Sequence, residues 1–184
     1  MTNVRRQLWL KAVEFHGHSC PGLAVGVRVA LDCREEMDLT SRAKDEEIVA
    51  VAETDACGVD GIQSILGCTV GKGNLLVNRR GKNVFTIYRR SDGCGLRYCW
   101  KSRGLDGMTP QARTELFLEA PQEEVYTVTP ARYPLPPRAS IYPSVFCDCC
   151  GERTAEPWLT VRNGQMICLD CAGKPFDFSG RAAV

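Results

Sequence analysis

The sequence predicts a core of mixed helices and strands, followed by a small, separate metal-binding domain. Three observations support this division. Apolar residues recur at helical spacing in the N-terminal third, short apolar runs typical of strands follow, and two Cys-x2-Cys pairs lie near the C-terminal end. A chain of 184 residues with 44% hydrophobic residues is long enough to bury one ordinary core and to carry one small appendage.

The N-terminal part of the chain is predicted to contain three helices. We expect the first over residues 3–14 and the third over residues 59–66. The second is predicted to run from Pro21 to about Met37, because proline suits a first helical position and pushes the residue before it toward extended geometry. Cys20 is therefore the expected N-cap of the second helix.

One edge of the second helix carries small residues. Gly22, Gly26 and Ala30 lie four residues apart, so they share one edge of a helix with 3.6 residues per turn. Since no bulky side chain stands on this edge, we expect another backbone to approach the helix closely.

The strands are predicted after the second helix. Apolar and β-branched runs indicate strands over residues 47–54, 75–78, 83–90 and 95–100, and a further helix is expected over 110–120. A proline-rich segment then favours a stiff, extended connector. We therefore divide the chain into a core domain over 1–130, a connector over 131–144 and a cysteine-rich domain over 145–184.

Composition narrows the classes of protein that this chain fits. The 11 cysteines are an odd number and no secretory signal precedes them, so they indicate metal or thiol chemistry in the reducing cytoplasm and not a disulfide framework. A net charge of +1 with no charged tail argues against a dedicated nucleic-acid surface. The uncharged stretch 15–27 is too short and too polar to span a membrane, so no membrane association is expected.

The C-terminal cysteines have the spacing of a zinc site. Two Cys-x2-Cys knuckles, seventeen residues apart, predict that Cys147, Cys150, Cys168 and Cys171 hold one zinc ion, with Cys149 as an alternative to Cys150. Between the knuckles, Asn163-Gly164 indicates a type I′ hairpin. Together these features are typical of a treble-clef or zinc-ribbon domain. Because four thiolates leave no open position, this zinc is expected to be structural.

A second group of metal-binding side chains lies near the N-terminus. In an extended segment, alternate residues face the same way, so His16, His18 and Cys20 are predicted to form part of a metal site. Cys57 also precedes a predicted helix, and it completes an open site for zinc, nickel or iron. Any catalytic role of the core is assigned to Cys20 and Cys57. Taken one at a time, each of these residues also fits a purely structural role.

A glycine-rich loop supplies two further candidates for cofactor binding. Lys72, between two glycines, is predicted to bind an anionic group near the core site, and Cys68 to line it. The loop lacks the full spacing of a phosphate-binding loop, so a simple glycine turn before a strand is the alternative.

Three sequence blocks resemble one known family. Phe15-His-Gly-His-Ser-Cys-Pro-Gly22, the block over 53–60 and the block over 67–75 occur in the order found in the FmdE family, which is named for a protein encoded with molybdenum- or tungsten-dependent formylmethanofuran dehydrogenase. The resemblance implies an α+β core in which helices pack on an antiparallel sheet, and an intertwined homodimer. It also implies that His18, Cys20 and Cys57 line a metal-capable pocket, with His16 matching the motif.

Three functions follow as hypotheses. The first is a metal-binding accessory protein of molybdenum- or tungsten-dependent formylmethanofuran dehydrogenase-type metabolism. The second is a regulatory or metabolite-sensing module whose zinc finger contacts a protein or a nucleic acid. The third is a hydrolase, for which Glu53, Asp55 and Asp60 are possible general bases.

Overall fold

The computed structural model describes residues 2–101 and 104–174, and the chain divides into two compact units between Ala139 and Ser140. We call them the core unit and the finger unit and describe each by itself. The sequence predicts a core domain that ends at residue 130 and a connector that ends at 144, whereas the core unit extends through most of the connector.

The four longer helices of the core unit begin and end close to their predicted bounds, and a short fifth helix is not predicted. These helices are α1 (Asn3–His16), α2 (Pro21–Glu36), α3 (Gly58–Leu66), α4 (Pro110–Glu119) and the single turn α5 (Gln122–Val125). The predicted N-cap of α2 is confirmed, because Cys20 has extended backbone angles and its sulfur accepts the amide N–H of Leu23 at 3.4 Å.

A sheet supports the helices. Among the described residues it has five strands in the order β2-β1-β3-β4-β5: β1 (Ile48–Ala52), β2 (Leu75–Val77), β3 (Val84–Arg89), β4 (Gly95–Trp100) and β5 (Tyr126–Pro130). The implied α+β class is confirmed. The sheet is mixed, because β1 pairs with β2 in parallel, with Ala50 opposite Leu75, while the other neighbouring pairs are antiparallel.

The structure adds one strand that the sequence analysis does not predict. No element is expected between residue 120 and the proline-rich connector, yet β5 pairs along β4 from Trp100 opposite Tyr126 to Leu96 opposite Pro130. The alternation of Thr127 and Thr129 with larger residues is a strand signal that the nearby prolines obscure. Pro130 lies on a sheet edge, where a missing N–H costs no ladder hydrogen bond.

The helix α2 lies at the centre of the core unit, with every residue from Leu23 to Cys33 buried. It crosses α3 at glycines on both helices. A β-carbon added to Gly26 would lie 1.9 Å from the carbonyl oxygen of Gly58, and one added to Gly61 would lie 2.5 Å from the amide nitrogen of Val27. The expected close approach of another backbone to α2 is therefore confirmed.

Buried charges tie the helices to the last strand. Asp32 on α2 accepts from Arg28 Nε at 2.5 Å, from Arg5 Nη2 at 2.8 Å and from the hydroxyl of Tyr126. Arg28 also donates to the carbonyl oxygen of Ala120 at 2.8 Å. Because each buried charge has a partner, the attraction within the network offsets part of the desolvation cost of burial, and its bonds connect α1, α2 and β5.

The finger unit consists of two short antiparallel ribbons. They are β6 (Ser144–Phe146) with β7 (Arg153–Ala155), and β8 (Leu159–Arg162) with β9 (Gln165–Cys168), with a 3-10 turn over Glu156–Trp158 between them. The predicted type I′ turn is confirmed, since Asn163 and Gly164 both have positive φ, of 53° and 78°.

The crossing of α2 and α3 predicts a specific sensitivity to one methyl group. Gly26→Ala is expected to destabilise the protein by about 3 kcal/mol, because the new β-carbon overlaps backbone atoms that move only if the helices separate. Gly71→Ala is the matched control, because a β-carbon there meets no atom within 4 Å. Urea unfolding measures both variants, and equal stability of the two would contradict the proposed packing constraint.

Candidate metal centres

The finger unit brings the four predicted cysteines together. One ligand atom from each of Cys147, Cys150, Cys168 and Cys171 lies within 4.8 Å of all the others. We call this group the finger cluster. Four sulfurs at such spacing are arranged as ligands of a single metal ion.

Backbone amides surround the sulfurs of the finger cluster. The N–H of Cys168 donates to the sulfur of Cys147 at 3.3 Å, and the N–H of Cys171 donates to the sulfur of Cys168 at 3.5 Å. Hydrogen bonds from the backbone of Cys150 and of Cys168 lower the pKa of Cys147 to about 6. These donors favour the thiolate form, which is the form that binds metals.

Cys149 lies outside the finger cluster. It is exposed, whereas Cys147 and Cys168 are buried, and the cluster instead includes the exposed Cys150. Gly151, with φ of 75°, allows the backbone to turn directly after Cys150. The set of four mutually close ligand atoms thus takes Cys150, and not Cys149, from this knuckle.

The core unit holds a second group of ligand atoms. Atoms of His16, Cys20 and Cys57 lie within 4.8 Å of one another, and all three residues are half-buried. We call them the core cluster. They come from the last residue of α1, the N-cap of α2 and the residue before α3. Cys57 makes no capping hydrogen bond through its side chain, and its sulfur instead lies close to the side chains of Cys20 and His16.

Gly22 makes room for this arrangement. A β-carbon at Gly22 would lie 3.2 Å from the β-carbon of Cys57, which is tighter than ordinary van der Waals contact.

Burial raises the pKa of Cys57, and the neighbouring Cys20 raises it further. Two thiols that disfavour each other's ionisation are stabilised as thiolates by a cation between them.

Asp60 orients the histidine of the core cluster. Its Oδ2 atom lies 2.6 Å from His16 Nδ1, and its Oδ1 atom accepts from Gln63 Nε2 at 3.0 Å. Because a carboxylate holds the proton on Nδ1, Nε2 carries the free lone pair, and Nε2 is the atom that lies 3.8 Å from the sulfur of Cys20. From the sequence alone, Asp60 is expected only as a possible general base. Its position in the first turn of α3, three residues after the N-cap Cys57, is the signal for this orienting role.

His18 is not part of the core cluster. Its ring lies against that of His16, with centroids 4.5 Å apart. The predicted alternation requires an extended segment, but His16 still belongs to α1, and Gly17 ends that helix with φ of 92°. Metal binding by His18 stays a prediction, and the cluster of His16, Cys20 and Cys57 does not include it.

Cys68 and Lys72 lie past the opposite end of α3 from the core cluster. Nine helical residues separate the two ends by about 13 Å. The sulfur of Cys68 is buried against the carbonyl oxygen of Ile48, and burial raises its pKa to about 12. Lys72 Nζ donates to the carbonyl oxygen of Ala43 at 2.8 Å. Both residues stabilise the loop before β2, and a cofactor at these positions stays a prediction.

The other carboxylates weighed as general bases have partners elsewhere. Glu53 is buried against Arg97, with Oε1 2.9 Å from Nη2, and Asp55 pairs with Arg79 at 3.2 Å. Neither pair includes a member of the core cluster. The geometry therefore gives the hydrolase hypothesis no free general base among these three acids.

Comparison with known proteins agrees with the resemblance. The sequence model for "FmdE, Molybdenum formylmethanofuran dehydrogenase operon" matches residues 15–131, more than half of the chain. This chain belongs to the FmdE family. A protein of solved structure from Syntrophus aciditrophicus, described as FmdE-like and named for tungsten formylmethanofuran dehydrogenase, shares the fold with a TM-score of 0.64 and 21% identity, over 94% of each chain.

A second relative carries a different description. A protein of Archaeoglobus fulgidus, described as a "probable S-adenosyl-L-methionine-binding protein", is 31% identical over 97% of this chain. The chain spans 56% of the length of that relative.

None of the helices within residues 2–101 and 104–174 has the length and apolar character needed to cross a membrane.

The finger cluster predicts different outcomes for neighbouring cysteines. Cys147→Ser is expected to lose one equivalent of bound metal and the ordered ribbons, because a buried ligand is removed from a unit with a very small core. Cys149→Ser is expected to keep both. Elemental analysis with amide hydrogen exchange measures the two variants, and metal loss from Cys149→Ser would contradict the assignment of the ligands.

Proposed function

We propose that this FmdE-family protein binds two metal ions, an open one in the core cluster and a structural zinc in the finger cluster. It is an accessory protein of molybdenum- or tungsten-dependent formylmethanofuran dehydrogenase-type metabolism. The observation that carries the proposal is the convergence of His16, Cys20 and Cys57 within 4.8 Å, at the ends of three helices.

The ligand set of the core cluster suits a functional metal site. One imidazole and two thiolates leave a fourth coordination position, as in sites where a metal receives an exogenous ligand. Zinc fits this set best, and nickel or iron also accepts it. When bound, such an ion supplies Lewis acidity at the open position, while Asp60 keeps the histidine in the tautomer that binds through Nε2.

The finger cluster suits a structural ion. Four thiolates complete a tetrahedron and leave no open position. The finger residues 140–174 carry four acidic and three basic side chains, which favours a protein partner over a nucleic acid. Assembly of the core units as a homodimer in the cytoplasm is part of the same proposal, and it is supported by family membership.

A metabolite-sensing role is the second candidate function. It is supported by the relative whose description names S-adenosyl-L-methionine and which matches almost the whole chain. Equilibrium dialysis of the metal-loaded protein against labelled S-adenosyl-L-methionine tests this role. Saturable binding at one site per chain would favour the metabolite-sensing role. The absence of binding would contradict that role, and the accessory role would be the remaining candidate.

Metal stoichiometry tests the core site. The full-length protein is expected to hold two metal ions per chain, and Cys57→Ser to hold one, because that variant removes one of three ligands of the core cluster. Cys99→Ser is the matched control, since Cys99 is also half-buried but belongs to neither cluster. Elemental analysis gives the counts; a single ion in the wild-type protein would reject a metal in the core.

The orienting role of Asp60 has its own signature. Asp60→Asn is expected to weaken metal binding at the core cluster by about 10- to 100-fold, because His16 loses the carboxylate that fixes its ring. Asp55→Asn is the control, since Asp55 pairs with Arg79 outside the cluster. Cobalt titration against a competing chelator measures the affinities. Equal effects of the two variants, or a loss explained by unfolding in a thermal melt, would contradict the role.

A further inference from the structure

The core unit contains a cavity that is distinct from the core cluster. Its volume is about 540 Å3, and it is lined by the loop 38–44 between α2 and β1, by the turn 89–91 between β3 and β4, and by Arg138. Leu39, Ala43 and Ile48 give it a buried, apolar floor. No member of the core cluster lines it. The volume falls within the range of about 300–1,000 Å3 that is usual for small-molecule sites.

One arginine holds the cavity wall in place. Arg90 donates to the carbonyl oxygens of Glu46, Pro136 and Pro137 at 2.9, 2.8 and 3.0 Å, and its Nη2 atom lies 3.1 Å from Glu46 Oε2. Glu46 Oε2 also accepts the N–H of Ala139 at 3.0 Å. These bonds attach the segment around Arg138 to the sheet. The cavity is therefore formed before any ligand arrives, which reduces the entropy cost of binding.

Positive charge is concentrated around the cavity. Five cationic side chains and two carboxylates line it among the described residues, although the whole chain carries a net charge of only +1. Arg89 and Arg90 have carboxylate partners in Asp92 and Glu46. The remaining cations are Arg42, Lys44 and Arg138, and none of these has a carboxylate partner within the described ranges.

We propose that this cavity binds a small phosphate-bearing metabolite. Arg42 and Arg138 present planar guanidinium groups that match phosphate oxygens, and Lys44 adds a third charge. The hydroxyls of Ser41 and Ser91 supply further donors on the lining. The apolar floor accommodates the uncharged part of the ligand. A concave site of this volume with an apolar floor, on a nearly neutral chain, fits a small molecule better than a nucleic-acid strand.

Calorimetric titration with pyrophosphate tests the proposal. The probe is added at low ionic strength to the metal-loaded full-length protein, because salt screens exposed cations. One molecule is expected to bind per chain. The double variant Arg42→Gln/Arg138→Gln is expected to bind at least about tenfold more weakly, since it removes two charge-assisted donors. Arg6→Gln, which removes an exposed arginine of α1 away from the cavity, is the matched control.

Three outcomes would overturn the proposal. They are no binding to the wild-type protein, equal weakening by Arg6→Gln and by the double variant, and loss of binding in Cys57→Ser. The last would place the probe on the metal of the core cluster. If Cys57→Ser instead loses its core metal and still binds pyrophosphate, the cavity is independent of the proposed metal site, and each proposal stands or falls by its own result.

Discussion

The contact between α2 and α3 is the constraint on which the rest of the core depends. Two helices normally keep their axes about 8–10 Å apart because side chains separate them. Here Gly26 meets Gly58 with no room for a β-carbon, and Gly61 packs in the same way against the backbone of Val27. This approach brings the N-termini of both helices together. Cys20 caps one of them and Cys57 precedes the other, so the packing of glycines places the two sulfurs side by side.

The third member of the core cluster depends on a different local feature. His16 is the last residue of α1, and Gly17 turns the chain with a positive φ so that the next helix can begin at Pro21. Asp60 then reaches His16 from the first turn of α3. All the ligands thus stand at helix ends, where backbone conformation is set by caps and glycines, while the buried body of α2 holds those ends in place. The positions of the ligand atoms are therefore set mainly by the backbone at these helix ends.

Local chemistry made part of this structure predictable. The N-cap at Cys20 follows from Pro21, the turn at Asn163-Gly164 follows from the φ values that glycine and asparagine tolerate, and the finger cluster follows from cysteine spacing. These features depend on residues close in sequence. Asp60 and the placement of Cys68 were not predictable in this way, because each depends on which end of α3 meets α2. The place of His18 outside the core cluster has a similar origin, because the length of α1 decides whether the alternation of an extended segment applies there.

The two clusters both contain cysteine sulfurs, but they differ in how complete their ligand sets are. In the finger cluster, four cysteines form a complete tetrahedral ligand set for one metal ion, and backbone amides donate to their sulfurs. In the core cluster, two cysteines and one histidine fall one ligand short, and the residue that orients the histidine is a carboxylate outside the first layer. A protein that needed metal only for stability would gain nothing from the incomplete set. The incomplete ligand set beside the close crossing of α2 and α3 is therefore the feature of this fold most directly suited to chemistry or to binding.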